Sequence, residues 1–259
     1  MDSRIENEIA FGKALADRLR NNQSGLFDAG AIDYWEKPGA QQVRRQKRVE
    51  RLRSLLAGAD RCLEIGCGFG SWSAEVSDIV GHVDAIDVSP DIVELAKQRN
   101  VPNITFSARD VHDTGFPAET FDRVFCISVL HHLDMPRALA EIHRILKPGG
   151  MLVASEPNML NPQVALERST PMTRRMFGNS PDETAFVRWR LAKLLERHFS
   201  IEKMENFDFY HPVIGKIDPS GRLEKIVDFF ERVPGLKEIS GSIFIVCRKP
   251  DQAHAAEAA

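Results

Sequence analysis

Apolar residues fall into two rhythms along this chain. Short apolar runs at 62–65, 82–87, 104–106, 121–128 and 151–155 read as strands. Between them, helical spacing predicts helices over 71–78, 91–99 and 136–146, the second introduced by Ser89-Pro90 as N-cap and first helical residue. Strands alternating with helices in this way predict a parallel sheet covered on both faces. Upstream, Ile5, Ile9, Leu15 and Leu19 mark a surface helix within 1–22. A loop over 21–39 holds Tyr34 and Trp35, and a basic helix follows over 41–56 with Val49, Leu52, Leu55 and Leu56 on one side. Downstream, the rhythm breaks over 157–183, a length that suggests a lid. It resumes with a helix at 183–198, a strand at 201–209, a helix at 223–232 and a strand at 242–248. The Ala-rich tail from Asp251 has no pattern of its own.

Length narrows this to one α/β domain with insertions, since 259 residues is short for two independent cores. The expected division is a helical cap segment over 1–57, a main domain over 58–250 with lid insertions near 157–183 and 207–235, and a disordered tail over 251–259. No apolar run approaches the roughly 18 residues of a membrane span, and the polar N-terminus lacks a signal-peptide core. A cytoplasmic protein without a membrane partner is expected. Net charge is −3, and the one basic run (Arg44, Arg45, Lys47, Arg48, Arg51, Arg53) lacks interleaved aromatics. It reads as a solvated helix face, with no nucleic-acid partner. The four cysteines form no C-x-x-C pair and sit in apolar surroundings or in a glycine loop, so reduced, buried thiols are expected. No metal-ligand spacing is present.

That loop, Glu64-Ile65-Gly66-Cys67-Gly68-Phe69-Gly70, joins the first strand to a helix. Glycines there let backbone N–H groups approach a ligand. The spacing is G-x-G-x-G, with Ser71 where a dinucleotide fingerprint needs its third small residue, which argues against a nicotinamide oxidoreductase. Asp87 lies 21 residues after Gly66 at the end of the next strand, where a carboxylate accepts both ribose hydroxyls. Asp110 closes the third strand, where it reads either as a plain loop acid or as an acceptor from an adenine amino group with the Val111 N–H donating to the ring.

Leu-Glu-Ile-Gly-Cys-Gly-Phe-Gly, Ala-Ile-Asp-Val-Ser-Pro, Ala-Arg-Asp-Val, Phe-Asp-Arg-Val-Phe-Cys-Ile-Ser-Val-Leu-His-His-Leu and Leu-Lys-Pro-Gly-Gly occur in that order within about 60–156. Together they resemble the ordered motifs of class I S-adenosylmethionine-dependent methyltransferases of the small-molecule type. The resemblance implies a Rossmann-like, seven-stranded mixed sheet with its last strand antiparallel, helices on both faces, and S-adenosyl-L-methionine as cofactor. It implies that Glu64 organises the loop or meets the methionine amino end, and that Gly66, Cys67 and Gly68 lie against the methionine portion. Asp87 and Val88 would hold the ribose, Asp110 and Val111 the adenine, and Cys126, Ile127 and Ser128 would line the cofactor. Trp35 would belong to an N-terminal segment folded over it, or else anchor its own loop to the core.

Methyl transfer from a sulfonium requires an in-line nucleophile, and an alcohol acceptor profits from a general base. His131 and His132 follow the fourth strand at the ligand-binding edge of the sheet, and neutral imidazole is a suitable base. Relatives in this resemblance support such a histidine with an acid after the fifth strand, the place of Glu156. A packing role for the histidines and a loop-bracing role for Glu156 fit the same positions. Acceptor contacts are expected from the lid and the later insertion: Asn158, Tyr210 and His211 first, with Asn161, Arg168, Arg174 and Arg175 as further polar candidates. The expected reaction is methyl transfer to an oxygen of a small molecule such as a sugar or natural product. Nitrogen or carbon transfer, and a non-catalytic cofactor-binding protein on the same fold, remain compatible.

Overall fold

The computed structural model describes residues 3–21, 40–176, 180, 184–208, 229 and 231–251. Trp35, Tyr210 and His211 lie outside these residues, as do Tyr34, most of the expected 223–232 helix and nearly all of the tail. The elements in chain order are α1 (Ser3–Arg20), α2 (Ala40–Leu56), β1 (Arg61–Ile65), α3 (Ser71–Val76), β2 (His82–Asp87), α4 (Pro90–Lys97), β3 (Ile104–Ala108) and β4 (Phe121–Ile127). A 3-10 turn (Leu130–His132) leads into α5 (Met135–Ile145) and β5 (Leu146–Pro157). Then come α6 (Pro162–Arg168), α7 (Pro171–Met176), α8 (Arg188–Leu195), β6 (Ser200–Phe207) and β7 (Ser242–Arg248).

The seven strands form one sheet in the order β3-β2-β1-β4-β5-β7-β6. The first five are parallel, and β7 runs antiparallel to both β5 and β6. Side-chain alternation divides the core into two layers. Leu63, Ile65, Val124, Cys126, Leu152 and Ala154 face α5 and α8, whereas Cys62, Val83, Ala85, Phe125, Ile127 and Val153 face α2, α3 and α4. Parallel strands buried on both sides explain the near-continuous apolar runs of the sequence. All four cysteines are buried and free. Among the described residues no helix is long and apolar enough to cross a membrane.

The structure corrects four expectations. The basic face of α2 is not solvated. Arg48 is 2% exposed and shares Asp208 Oδ2 with Arg44, each at 2.7 Å, while Arg48 also donates to Ser242 Oγ. Arg45 pairs with Glu75 and Arg53 with Asp78 at α3, and Arg51 with Glu205 on β6, so the run is taken up in fixing α2 to its neighbours. Burial raises the carboxyl of Asp208, but the two guanidiniums more than offset it and hold it below the usual carboxylate range.

The helix expected over 183–198 is shortened to Arg188–Leu195. Phe186 bridges to Asn158 instead, with Phe186 N–H donating to Pro157 O and Met159 N–H to Phe186 O, and extended pairing excludes a helical first turn. The lid over 157–183 contains two short helices. Asn161 caps the first, its side chain accepting from Gln163 N and Val164 N, with Pro162 opening the helix. Finally, α1 is no ordinary surface helix. Leu15 and Ala16 are buried against Phe69 and Ile92, and Gly12 is pressed on Ser89: a Cβ at Gly12 would stand 2.6 Å from Ser89 Oγ.

Candidate active site

The carboxyl ends of β1 to β4 open into a cavity of about 280 Å³. Its floor is the glycine loop with Ile65 and Ile86, its far wall is formed by Asp110, Val111 and Leu133, and its roof is α1 through Ile5, Glu8 and Phe11. The loop geometry explains the glycines. Gly66 has φ +65°, and a Cβ there would lie 2.5 Å from Val129 Cγ2. Gly70 caps α3 at φ +73°, and a Cβ would lie 2.5 Å from the Phe106 ring. The third glycine therefore serves the packing of α3 against β3.

Asp87 is the hub of this end of the sheet. Its Oδ2 accepts from Gly68 N–H and its Oδ1 from Ser89 N–H, both at 3.0 Å. Each oxygen keeps a further lone pair, and Asp87 and Val88 both line the cavity. Burial raises the Asp87 carboxyl, against the pull of the two N–H donors. Ser89 Oγ, also on the wall and 1% exposed, has no hydrogen-bond partner and does not cap α4. Ser128 lines the cavity at φ +59°, a left-handed conformation uncommon for a serine, held by its N–H donating to Ser155 O at 2.7 Å.

Asp110 is locked by a residue that sequence reasoning missed. Its Oδ1 accepts from His112 N–H at 2.9 Å and from the His112 ring at 2.6 Å. His112 Nε2 in turn accepts from Asp134 N–H at 3.1 Å, so the ring proton sits on Nδ1, facing Asp110. The other Asp110 oxygen has no such tie. Arg4, Glu8, Phe11 and Leu133 were missed as well. Gly12, a costly residue inside a helix unless it allows close approach, was the available signal.

Several expected cofactor contacts lie elsewhere. Cys126 and Ile127 are strand residues pointing into opposite core layers, so only Ser128, past the strand end, reaches the cavity. Cys67 is buried under the loop, tied by its N–H to Ile86 O. Burial pushes its thiol well above the ordinary range. Glu64 lies beneath the loop, 1% exposed, and accepts from Ser73 Oγ. Its Oε1 has no hydrogen-bond partner, and burial pushes its carboxyl up to about 8.

The expected catalytic trio separates. Glu156 is fully buried; its Oε1 accepts from Val129 and Leu130 N–H, and its Oε2 from His131 Nδ1 at 2.7 Å. His131 is buried beside it, with Thr184 Oγ1 donating to the His131 carbonyl at 2.8 Å. His132 turns the other way, onto the cavity wall, where its Nδ1 lies 3.0 Å from Glu8 Oε1. Asn158 does not face an acceptor space. It is fully buried and donates to Glu238 O and Ser240 O, with its Oδ1 accepting from Leu160 N–H. Asn161 is the α6 cap and also donates to Ile239 O. Both hold the lid to the 238–241 turn.

Residues 63–154 match a family model described as a methyltransferase domain. The chain is 31% identical over 153 residues to O-methyltransferase cnsE of Penicillium expansum, covering 54% of each protein. It is 32% identical over 142 residues to the ubiquinone biosynthesis O-methyltransferase of Xanthomonas oryzae pv. oryzae, covering 51% of this chain and 59% of that one. The chain thus spans little more than half the length of these curated relatives. In fold it is similar to N-methyltransferase NodS of Bradyrhizobium japonicum in complex with S-adenosylhomocysteine (TM-score 0.57, 19% identity, 86% of this chain and 95% of that one). It is also similar to the [4+2]-cyclase SpnF (TM-score 0.62, 20% identity, 93% of each).

Proposed function

We propose, for a chain whose 63–154 region is a methyltransferase domain of the class I, S-adenosylmethionine-dependent kind, that the protein transfers a methyl group from S-adenosylmethionine to an oxygen of a small molecule. The observation that carries the cofactor half of this reading is Asp87. It stands on the cavity wall with both oxygens oriented by backbone N–H groups and with lone pairs left for a ribose diol. Ser89 Oγ supplies an unused hydroxyl on the same wall, and Asp110 an oxygen for the adenine amino group. The partnerless Glu64 Oε1 beneath the loop suits the cationic methionine end. When bound, the cofactor supplies the electrophilic methyl. The chain's work is to hold it, exclude water and prepare the acceptor.

For the acceptor we assign His131 as general base, oriented by Glu156. The carboxylate accepts from Nδ1 and so fixes the tautomer in which Nε2 is the basic nitrogen of the imidazole. The oxygen-directed relatives favour an alcohol or phenol over an amine. A sugar or natural-product hydroxyl is the class of acceptor proposed. A tritiated methyl-transfer screen over phenols, sugars and amines tests this. Labelled O-methyl product is expected, abolished in His131→Ala but with cofactor affinity retained. Exclusive N-methyl product, or a fully active His131→Ala, would sink the assignment.

A further inference from the structure

One carboxylate joins three parts of the molecule that the sequence keeps far apart. Glu8, on α1, accepts through Oε1 from Ser180 Oγ at 2.7 Å and lies 3.0 Å from His132 Nδ1. Ser180 Oγ and His132 Nδ1 are themselves 3.3 Å apart. Glu8 thus ties the roof of the cavity to the turn after β4 and to the lid segment beyond β5. Ser180 is 1% exposed and His132 and Glu8 each about one-fifth exposed at the side chain, so the junction is shielded from water, where such hydrogen bonds are strongest.

The rest of α1 supports closure at this point. The Arg4 guanidinium donates to Leu133 O at 3.2 Å, one residue past His132. Gly12 lets the helix lie directly on Ser89, and Arg20 reaches Asp91 at the far end. With the helix seated on these contacts, Ile5, Glu8 and Phe11 cover the space above Asp87.

We propose that Glu8 is a positioning residue that latches α1 over the cofactor through His132 and Ser180 together, so that the cofactor roof and the acceptor lid open as one unit. This deepens the cofactor-binding reading above and rests on it. It divides the adjacent histidines: His131 serves the acceptor, and His132 holds the roof.

The test uses the full chain and S-adenosylhomocysteine as the probe, with dissociation followed by stopped-flow fluorescence and affinity by calorimetry. Glu8→Ala is expected to speed dissociation at least about tenfold, in the range of a lost charge-assisted hydrogen bond. Ser180→Ala should speed it severalfold. The double variant should release no faster than Glu8→Ala alone, because the Ser180 contact acts through Glu8. Glu8→Gln, which retains an acceptor oxygen in the same place, should recover most of the slow release. A merely structural Glu8 would lower the thermal midpoint and leave the release rate unchanged, which overturns the latch. Fully additive effects of Glu8→Ala and Ser180→Ala overturn the coupling of roof and lid. If the unmodified protein binds no S-adenosylhomocysteine, the cofactor reading itself fails, an outcome distinct from tight binding with a release rate indifferent to Glu8.

Discussion

Around the cavity, Asp87, Asp110 and Glu156 are tied to backbone; over 162–176, Gln163 pairs with Glu167 and Thr170 with Thr173 within the lid itself. Asp87 holds Gly68 and Ser89, Asp110 holds His112, and Glu156 holds the turn at 129–131. In α6 and α7, by contrast, no residue is fully buried, and Leu166, Met172 and Met176 are 58–76% exposed. The cofactor region is specified at the level of main-chain hydrogen bonds, which leave little freedom for substitution. The lid is anchored at its two ends, by Asn158 and Asn161 on one side and Ser180 and Thr184 on the other. We place acceptor-dependent variation on the exposed side chains of α6 and α7. A fold shared with both an N-methyltransferase and a cyclase is consistent with that division of labour.

Substitutions should expose the contrast, beginning with the largest effect. His131→Ala should lower turnover about 10²- to 10⁴-fold, the usual range for a general base, with S-adenosylhomocysteine affinity within a few-fold of the unmodified protein. A parallel loss of affinity would instead make His131 part of the loop brace. Asp208→Ala should destabilise the fold by about 3–5 kcal/mol in urea unfolding, because it leaves the buried Arg48 without its carboxylate. Since Asp208 is held below the ordinary carboxylate range, its contribution is present above the unfolded-state value and is lost as pH falls through the lower folded-state value. A midpoint unchanged by the substitution would contradict this role.

Gly66→Ala should weaken cofactor binding through the Val129 clash and the positive φ while leaving the rest of the sheet folded. Calorimetry would show it, and an unchanged affinity would mean that the loop is not where the ligand lies. Glu64 adds a pH signature. With its carboxyl raised by burial to about 8, it is largely protonated at pH 7, and a cationic methionine end favours the ionised form. Cofactor affinity should therefore rise between pH 6 and about 8 and flatten in Glu64→Gln; a flat profile in both proteins removes Glu64 from the cofactor. On the other side of the comparison, Met172→Ser should change stability by less than about 0.5 kcal/mol. A larger loss would show that α7 is packed in solution.

The same contrast governed what the chain made legible. The strands and the glycine loop could be read because close backbone approach demands particular residues at fixed spacing, and Asp87 and Asp110 stand on the cavity wall where that spacing puts them. Asn158 misled because Glu-Pro-Asn after a strand points to the ligand edge. In fact β5 runs on to Pro157, and Asn158 N–H continues the pairing by donating to Gly241 O. The roof was illegible for another reason: an amphipathic helix declares that it has an apolar face and is silent on what that face covers. The basic run of α2 misled similarly, since the carboxylate that buries Arg44 and Arg48, that of Asp208, arrives from more than 150 residues away. Adjacent histidines cannot be told apart by type, and only the turn at 130–132 sends one inward and the other to the cavity.

We propose that Asp87 is the ribose ligand in a cavity that holds S-adenosylmethionine. Calorimetric titration of S-adenosylhomocysteine and of NAD into the unmodified protein and Asp87→Asn tests it most directly. Saturable binding of S-adenosylhomocysteine, no binding of NAD, and at least about a tenfold loss of affinity in the variant are the expected results. Binding of NAD, or an Asp87→Asn variant that binds S-adenosylhomocysteine as tightly as the unmodified protein, would contradict it.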